Sequence, residues 1–164
     1  MLKNYHIENL KFLSLSVLII ILDQLTKWFA VMHLLIGAPK PVLPFLNFTL
    51  AYNTGIAFSW FASPGQWHTA VIFWSTLIIV FVLFLWLLKL PAEDRAKKIC
   101  IGLIIGGAIG NMVDRVSMGY VIDFVDFYIG SWHYATFNVA DTAICMGALF
   151  LMIQSFRNSR STMS

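Results

Sequence analysis

Four apolar stretches separated by polar connections dominate the chain, at about 12–34, 67–88, 99–116 and 137–156. Each approaches the roughly 20 residues that an α-helix needs to cross hydrocarbon, so four membrane-spanning helices are predicted. The first connection carries Pro39, Pro41 and Pro44 and then Phe45-Leu46-Asn47-Phe48-Thr49-Leu50-Ala51-Tyr52, which is aromatic-rich and roughly alternating. Such patterning predicts strands, here a small sheet on the membrane surface able to receive an extended peptide. The segment of about 38–66 is therefore expected to be β-rich, and 117–136 an outward loop. Phe58, Trp60, Phe61 and Trp67 supply amphipathic rings suited to headgroup level, either beside that platform or as a belt anchoring the bundle.

Composition agrees with the pattern. At 59% hydrophobic, 12% charged and mean hydropathy +0.78 over 164 residues, the chain lies well outside ordinary soluble proteins. An all-α polytopic membrane protein is expected, a single domain over 1–164 with the β-rich platform between helices one and two. Repeats, low-complexity tracts and long linkers are absent, and 157–164 is expected to be a short disordered end. Lys3 and Lys11 ahead of an apolar run resemble a secretory signal. The run is too long, carries Asp23 and Lys27 and lacks a small-residue cleavage site, so a retained helix is expected. Cys100 and Cys145, in different spans, are expected to be small apolar core residues rather than a disulfide or a metal site.

The basic residues orient the bundle. Lys3 and Lys11 precede the first span, Lys89, Arg95, Lys97 and Lys98 lie between the second and third, and Arg157 and Arg160 follow the fourth. The other two connections hold only Lys40. By the positive-inside rule both termini are expected in the cytoplasm, with 35–66 and 117–136 outside. The formal charge of +3 is a topology signal on one leaflet, and nothing in it calls for nucleic acid.

Against this apolar background the ionisable residues stand out, because each costs about 2.5–3.5 kcal/mol near the middle of a bilayer. Asp23 and Lys27, four apart on one helix face, are expected to pair, with Lys27 snorkelling outward. Gly102, Gly106 and Gly110 recur every four residues and allow a neighbouring helix to approach closely. Gly107, Asn111 and Arg115 form a second stripe of the same spacing. Asn111 alone would serve as glue between helices, and Arg115 with Asp114 as an interfacial anchor. Asn138, three residues before Asp141 and just ahead of an apolar run, has the spacing of a helix N-cap. With the third helix running outward and the fourth returning, Asp23, Asn111, Arg115, Asp123 and Asp141 all fall toward the outer leaflet. Two carboxylates close enough to share a proton are the minimal apparatus of aspartic proteolysis, one acting as acid while the other activates water. The competing reading is a small proton-coupled transporter using the same carboxylates. Against it, a pathway needs polar groups through the full depth, and Val71 to Leu88 of the second span offers only Ser75 and Thr76. A noncatalytic scaffold would leave the carboxylates unexplained.

Five segments in order, Asp23-Gln24-Leu25-Thr26-Lys27, Asn53-Thr54-Gly55-Ile56-Ala57-Phe58, the run from Gly106 through Gly107 and Gly110-Asn111 to Asp114-Arg115, Val121-Ile122-Asp123-Phe124, and Phe137-Asn138-Val139-Ala140-Asp141, closely resemble the motifs of bacterial lipoprotein signal peptidase, or signal peptidase II. The resemblance runs from the first span to the last. It implies an intramembrane aspartic endopeptidase of the bacterial cytoplasmic (inner) membrane that removes signal peptides from prolipoproteins, cutting before a diacylglyceryl-modified cysteine near the outer leaflet. Asp123 and Asp141 would be the catalytic pair. Asp23, Lys27, Asn53, Gly107, Asn111, Asp114, Arg115, Asn138 and Ala140 would position substrate and support the site. Neither metal nor organic cofactor is implied, and the expected partners are the lipid-modified substrate and membrane lipid, with the chain itself a monomer. Ser59, Ser63 and Ser117 have no evident histidine partner, and His33, His68 and His133 are scattered. If 121–127 is extended, Asp123 and Asp126 point to opposite faces. The resemblance selects Asp123, which leaves Asp126 expected to face solvent or cap a turn.

Overall fold

The computed structural model describes the backbone over 6–55 and 67–161 and the side chains over 6–55 and 70–156. Phe58, Ser59, Trp60, Phe61 and Ser63 lie outside the described residues, as do the side chains of Trp67 and His68. A short 3-10 helix, Ile7–Phe12, leads into α1, Leu13–His33; the other long helices are α2, Trp67–Lys89, α3, Arg95–Met118, and α4, Val139–Ser161. All four are long and apolar enough to cross a membrane. In hydrocarbon every backbone N–H and C=O must find its partner within the protein, and a helix does this locally. Their outer faces are apolar as well: Val17, Ile21, Trp28 and Phe29 on α1 and Trp74, Ile78 and Phe81 on α2 are each at least half exposed. A water-soluble protein would not carry so much bare apolar surface. This is a mostly helical, multi-pass membrane protein.

Helix α3 is the axis. Inside the protein lies 56% of its apolar window, against 22%, 6% and 17% for the first, second and fourth spans. Its glycines explain the difference, since a Cβ on Gly102 would meet the Phe12 carbonyl at 3.0 Å and one on Gly106 the Ser16 backbone at 2.9 Å. Small residues thus let α1 lie directly on α3, where van der Waals contact rather than water exclusion holds helices together. Ser16 Oγ completes the seam by donating to the Gly102 carbonyl at 2.7 Å. At the start of the chain, Asn9 Nδ2 donates to the Leu87 and Leu90 carbonyls at 2.8 and 2.9 Å, closing the end of α2.

Between the helices runs a four-stranded antiparallel sheet in the order β1 (Lys40–Leu43), β2 (Leu46–Asn53), β3 (Val121–Ile129), β4 (Trp132–His133). Half of it comes from 117–136, the segment expected to be a loop. Two aspartates break the apolar alternation of β3, yet β2 needs a partner for its second edge, and Val121-Ile122 and Phe124-Val125 supply β-formers. The pairing sets Ala51 opposite Asp123 and Asn47 opposite Asp126, with a register shift between Phe48 and Ala51. Leu50, Ile122 and Phe124 pack with Ala30 of α1 as a small core beneath the sheet. The turn into β3 is made by Gly119, whose φ of +82° ends α3 as its N–H bonds the Arg115 carbonyl at 3.0 Å. Helix α4 differs from expectation at its other end: it runs on through Arg157 to Ser161, because no glycine or proline interrupts it after Gly147.

Candidate active site

The sheet end of the bundle holds a buried polar network centred on Lys27. Its ammonium donates to Asp23 Oδ2 at 2.7 Å, Asp114 Oδ2 at 2.8 Å and Asn111 Oδ1 at 3.0 Å, so all three protons have acceptors. Lys27 is 1% exposed, which corrects the expectation that it snorkels outward. Two carboxylates and an amide within reach of Nζ stabilise the charge better inside than a long detour to the headgroups could. Asp114 is likewise no interfacial anchor: it is 1% exposed and also accepts from Gln24 Nε2 at 2.8 Å and the Ile122 N–H at 3.2 Å. Asp23, fully buried, spends its second oxygen on the Ala140 N–H at 2.9 Å and so closes one of the open donors at the start of α4. Gly110 makes room for it, since a Cβ there would stand 2.8 Å from Asp23 Oδ2.

Above this knot lie Asp123, near the start of β3, and Asp141, in the first turn of α4, and Asn138 joins them. Its Nδ2 donates to Asp123 Oδ1 at 2.7 Å and to Asn111 Oδ1 at 3.0 Å. Its backbone N–H donates to Asp141 Oδ2 at 3.2 Å, while the Asp141 N–H donates to Asn138 Oδ1 at 2.9 Å. That reciprocal exchange is a capping box with Asp141 in the acidic position, so the capping reading of Asn138 and the functional one describe the same atoms. Asn111 Nδ2 adds a bond to Asp141 Oδ1 at 2.8 Å. Asn53 Nδ2 donates to Asp123 Oδ2 at 3.0 Å, its own oxygen held by the Gly55 N–H at 2.8 Å. Each carboxylate thus receives directed donors from two sides and is fixed in orientation.

The electrostatics separate the two acids on β3. Burial pushes the Asp123 carboxyl up to about 6; the Asn53 bond opposes this, the charge of Asp141 adds to it, and Asn138 and Lys27 pull the other way. Arg115 faces Asp141, Asp123 and Asp114, with only the Asn111 carbonyl in marginal reach of Nη1 at 3.5 Å and its buried Nε unpaired among the described residues. A cation with spare donors beside two carboxylates suits an oxyanion that is formed only during reaction. Gly107 acts by size alone. A Cβ there would run into the Ala140 carbonyl, so only glycine lets α3 press against the first turn of α4 and hold Asn111 within reach of Asp141.

A cleft of 490 Å³ opens onto Asp141, bordered by Asn53, the strip from Tyr134 to Phe137, and Thr142, Cys145 and Met146 of α4. Cys145 is therefore not a core residue as expected; it is exposed on the cleft side, whereas Cys100 is buried. Asp126 differs from expectation too. It is 4% exposed, with Asn47, Thr49 and His133 around it. Sequence reasoning overlooked Gln24, which bridges Asp114, Asp23 and the Gly110 carbonyl. Its signal was an amide beside Asp23 in an apolar span.

Comparison with known proteins agrees with this geometry. The model of the family described as signal peptidase (SPase) II matches residues 15–157. The lipoprotein signal peptidase of Hydrogenovibrio crunogenus is 49% identical over 142 residues, covering 87% of this chain and 83% of that protein. That of Acinetobacter baumannii is 46% identical over 153 residues, covering 93% and 86%, and that of Coxiella burnetii 48% over 143 residues, covering 86% of each. Among solved structures, a bacterial membrane enzyme determined by the in meso method at 1.9 Å superposes with a TM-score of 0.79 at 32% identity, covering 94% of this chain and 96% of that one. Fold, ordered motifs and relatives converge: the chain belongs to the signal peptidase II family.

Proposed function

We propose that the protein is an aspartic endopeptidase that removes signal peptides from bacterial prolipoproteins, cutting just before the diacylglyceryl-modified cysteine, with Asp123 and Asp141 as the catalytic pair. The observation that carries the reading is the bridge through the buried Asn138, which ties Asp123 to Asp141, the carboxylate that lines the cleft. The charge of Asp141 adds to burial in raising the Asp123 carboxyl, which favours a proton on this acid. Asp123, with its raised pKa, is the natural holder of that proton. Asp141 then takes a proton from water as it attacks the scissile carbonyl, while Asp123 gives its own proton to the developing oxyanion; as the C–N bond breaks, Asp141 passes the proton it took from water to the leaving amine and Asp123 takes one back from the gem-diol. Arg115 steadies the negative charge. The Lys27 knot keeps Asn111 and the first turn of α4 in place but touches no substrate.

Among the described residues, those gathered at the site all come from one chain, which supports a monomer. An amphipathic substrate bearing lipid chains suits a cleft where α4 meets the sheet, and the basic residues at the opposite end of the helices favour cytoplasmic termini in the inner membrane with the cleft toward the outer leaflet. Reporters fused after Lys97 and Arg160 should read inside and one near Gly130 outside. The transporter reading finds no support in α2, whose stretch from Val71 to Leu88 offers only the hydroxyls of Ser75 and Thr76 and no proton path. The direct test is to mix the purified protein in detergent with a diacylglyceryl-modified prolipoprotein and weigh the released peptide. A cut anywhere other than before the lipidated cysteine would exclude this reading.

A further inference from the structure

We infer that Asp126 and His133 are positioning residues for the reaction, forming a pin that holds the cleft wall Tyr134–Phe137 at the height of Asp141; this rests on the proposed peptidase reading. Asp126 follows Asp123 by three positions on β3 and by alternation faces the other way. Its Oδ2 accepts from Asn47 Nδ2 at 3.2 Å and Thr49 Oγ1 at 3.1 Å, both on β2. Its Oδ1 meets His133 Nδ1 at 2.8 Å, on β4. One buried carboxylate therefore ties three strands together.

The geometry explains why such a tie is needed. Strand β4 has only two residues, Trp132–His133, paired to Ile129 and Tyr128. Directly after it the chain becomes the cleft wall, which is fixed at its far end by the exchange between Phe137 and Val125, with N–H to carbonyl distances of 3.0 and 2.9 Å. At its near end the wall has the Tyr134 N–H on the Phe127 carbonyl at 2.8 Å and the His133 side chain, stacked on Tyr128 with ring centroids 5.2 Å apart. A two-residue strand is a weak anchor by itself, and the bond to a buried carboxylate is the strongest contact it has. Burial alone would raise the Asp126 carboxyl; bonds from His133, Asn47 and Thr49 outweigh it and hold the group below the ordinary carboxylate range. Asp126 is thus a fixed acceptor that reaches the substrate only through the wall.

The test separates this role from catalysis and from mere stability. With a synthetic diacylglyceryl-modified lipopeptide, Asp126→Asn and His133→Ala should each raise KM about tenfold and leave kcat within about threefold. The double variant should be no worse than either single one, because both remove the same contact. His133→Gln, which keeps a donor, should recover most of the loss. Hydrogen exchange of the Tyr134 amide should quicken about tenfold in His133→Ala while that of Gly119, at the end of α3, stays unchanged. Should Asp126→Asn fail to fold, His133→Ala carries the test, since that side chain is 49% exposed. Unchanged KM, equal losses in kcat and KM, or additive effects would overturn the pin. If the wild type cleaves no lipopeptide, the peptidase reading fails on its own, and the exchange rates alone decide whether the pin exists.

Discussion

Strand β3 carries two buried aspartates three residues apart, and their surroundings drive them in opposite directions. Asp123, 1% exposed, has two amides and another carboxylate for neighbours and is pushed up to about 6. Asp126, 4% exposed, has two neutral donors and an imidazole and is held below the usual carboxylate range. Burial acts upward on both carboxyls and is the largest cause of the rise at Asp123, where the charge of Asp141 adds to it; at Asp126 the bonds from His133, Asn47 and Thr49 outweigh it. What separates the two acids is therefore the balance of donors against burial and the presence of a second carboxylate beside only one of them. The comparison breaks most sharply on turnover: Asp123→Asn and Asp141→Asn should each lower kcat by on the order of 10³–10⁴ with substrate still bound, whereas Asp126→Asn keeps kcat. Near-normal cleavage by either purified dyad variant would sink the mechanism, and a dead Asp126→Asn that folds and binds would move the catalytic assignment three residues along the strand.

A second break lies below the pair. Lys27 pairs with both Asp23 and Asp114 in a buried place, so Lys27→Met leaves two buried carboxylates without their cation. Removing one partner of a buried ionic cluster costs about 3–5 kcal/mol, and the melting temperature in detergent should fall accordingly. If the variant melts with the wild type, the knot is not what fixes α1 to α3 and α4 at this end.

How much of this was legible beforehand depended on which physics governed each region. The helices were, because lipid forces an unbroken apolar run and Gly102, Gly106 and Gly110 announce a close seam whatever its partner. So was the gathering of Asp23, Asn53, Asn111, Asp123, Asn138, Ala140 and Asp141, through the ordered motifs that carry the family resemblance. Lys27 was not, since spacing pairs it with Asp23 but cannot reveal Asp114 and Asn111 arriving from α3. Nor was the half of the sheet after Ser117, where Asp123 and Asp126 erase the alternation that marks a strand. The role of Asp126 depends on β2 and β4 across that sheet, contacts that no local pattern in Val121–Ile129 encodes.

The raised pKa of Asp123 makes a smaller effect measurable without substrate. Its folded-state value of about 6 lies above the ordinary 3.8, so the folded protein binds the proton more readily than the unfolded chain. The linked stability is fully present below about 3.8 and is lost as pH rises through about 6. Asp123→Asn does not titrate there. Between pH 8 and pH 4 the wild type should therefore gain about 2 kcal/mol relative to Asp123→Asn, read as a converging pair of melting curves. Curves that stay parallel would mean that Asp123 titrates normally and that its difference from Asp126 is lost.

The smallest effect tests which neighbour tunes the acid. Asn53 donates to Asp123 Oδ2, and that bond favours the ionised form, so it works against the burial that lifts the pKa. In Asn53→Ala the opposing influence is gone while Asn138 still holds the other oxygen. A hydrogen bond of about 1 kcal/mol corresponds to a little under one pH unit, so the alkaline limb of the kcat/KM profile, which reports the free enzyme, should move upward by that amount. The same substitution at the other acid's flank, Thr49→Ala, removes a donor from Asp126 and should leave that limb where it was, because Asp126 does not titrate in the mechanism. A limb that shifts with Thr49→Ala and not with Asn53→Ala would reverse the roles of the two aspartates.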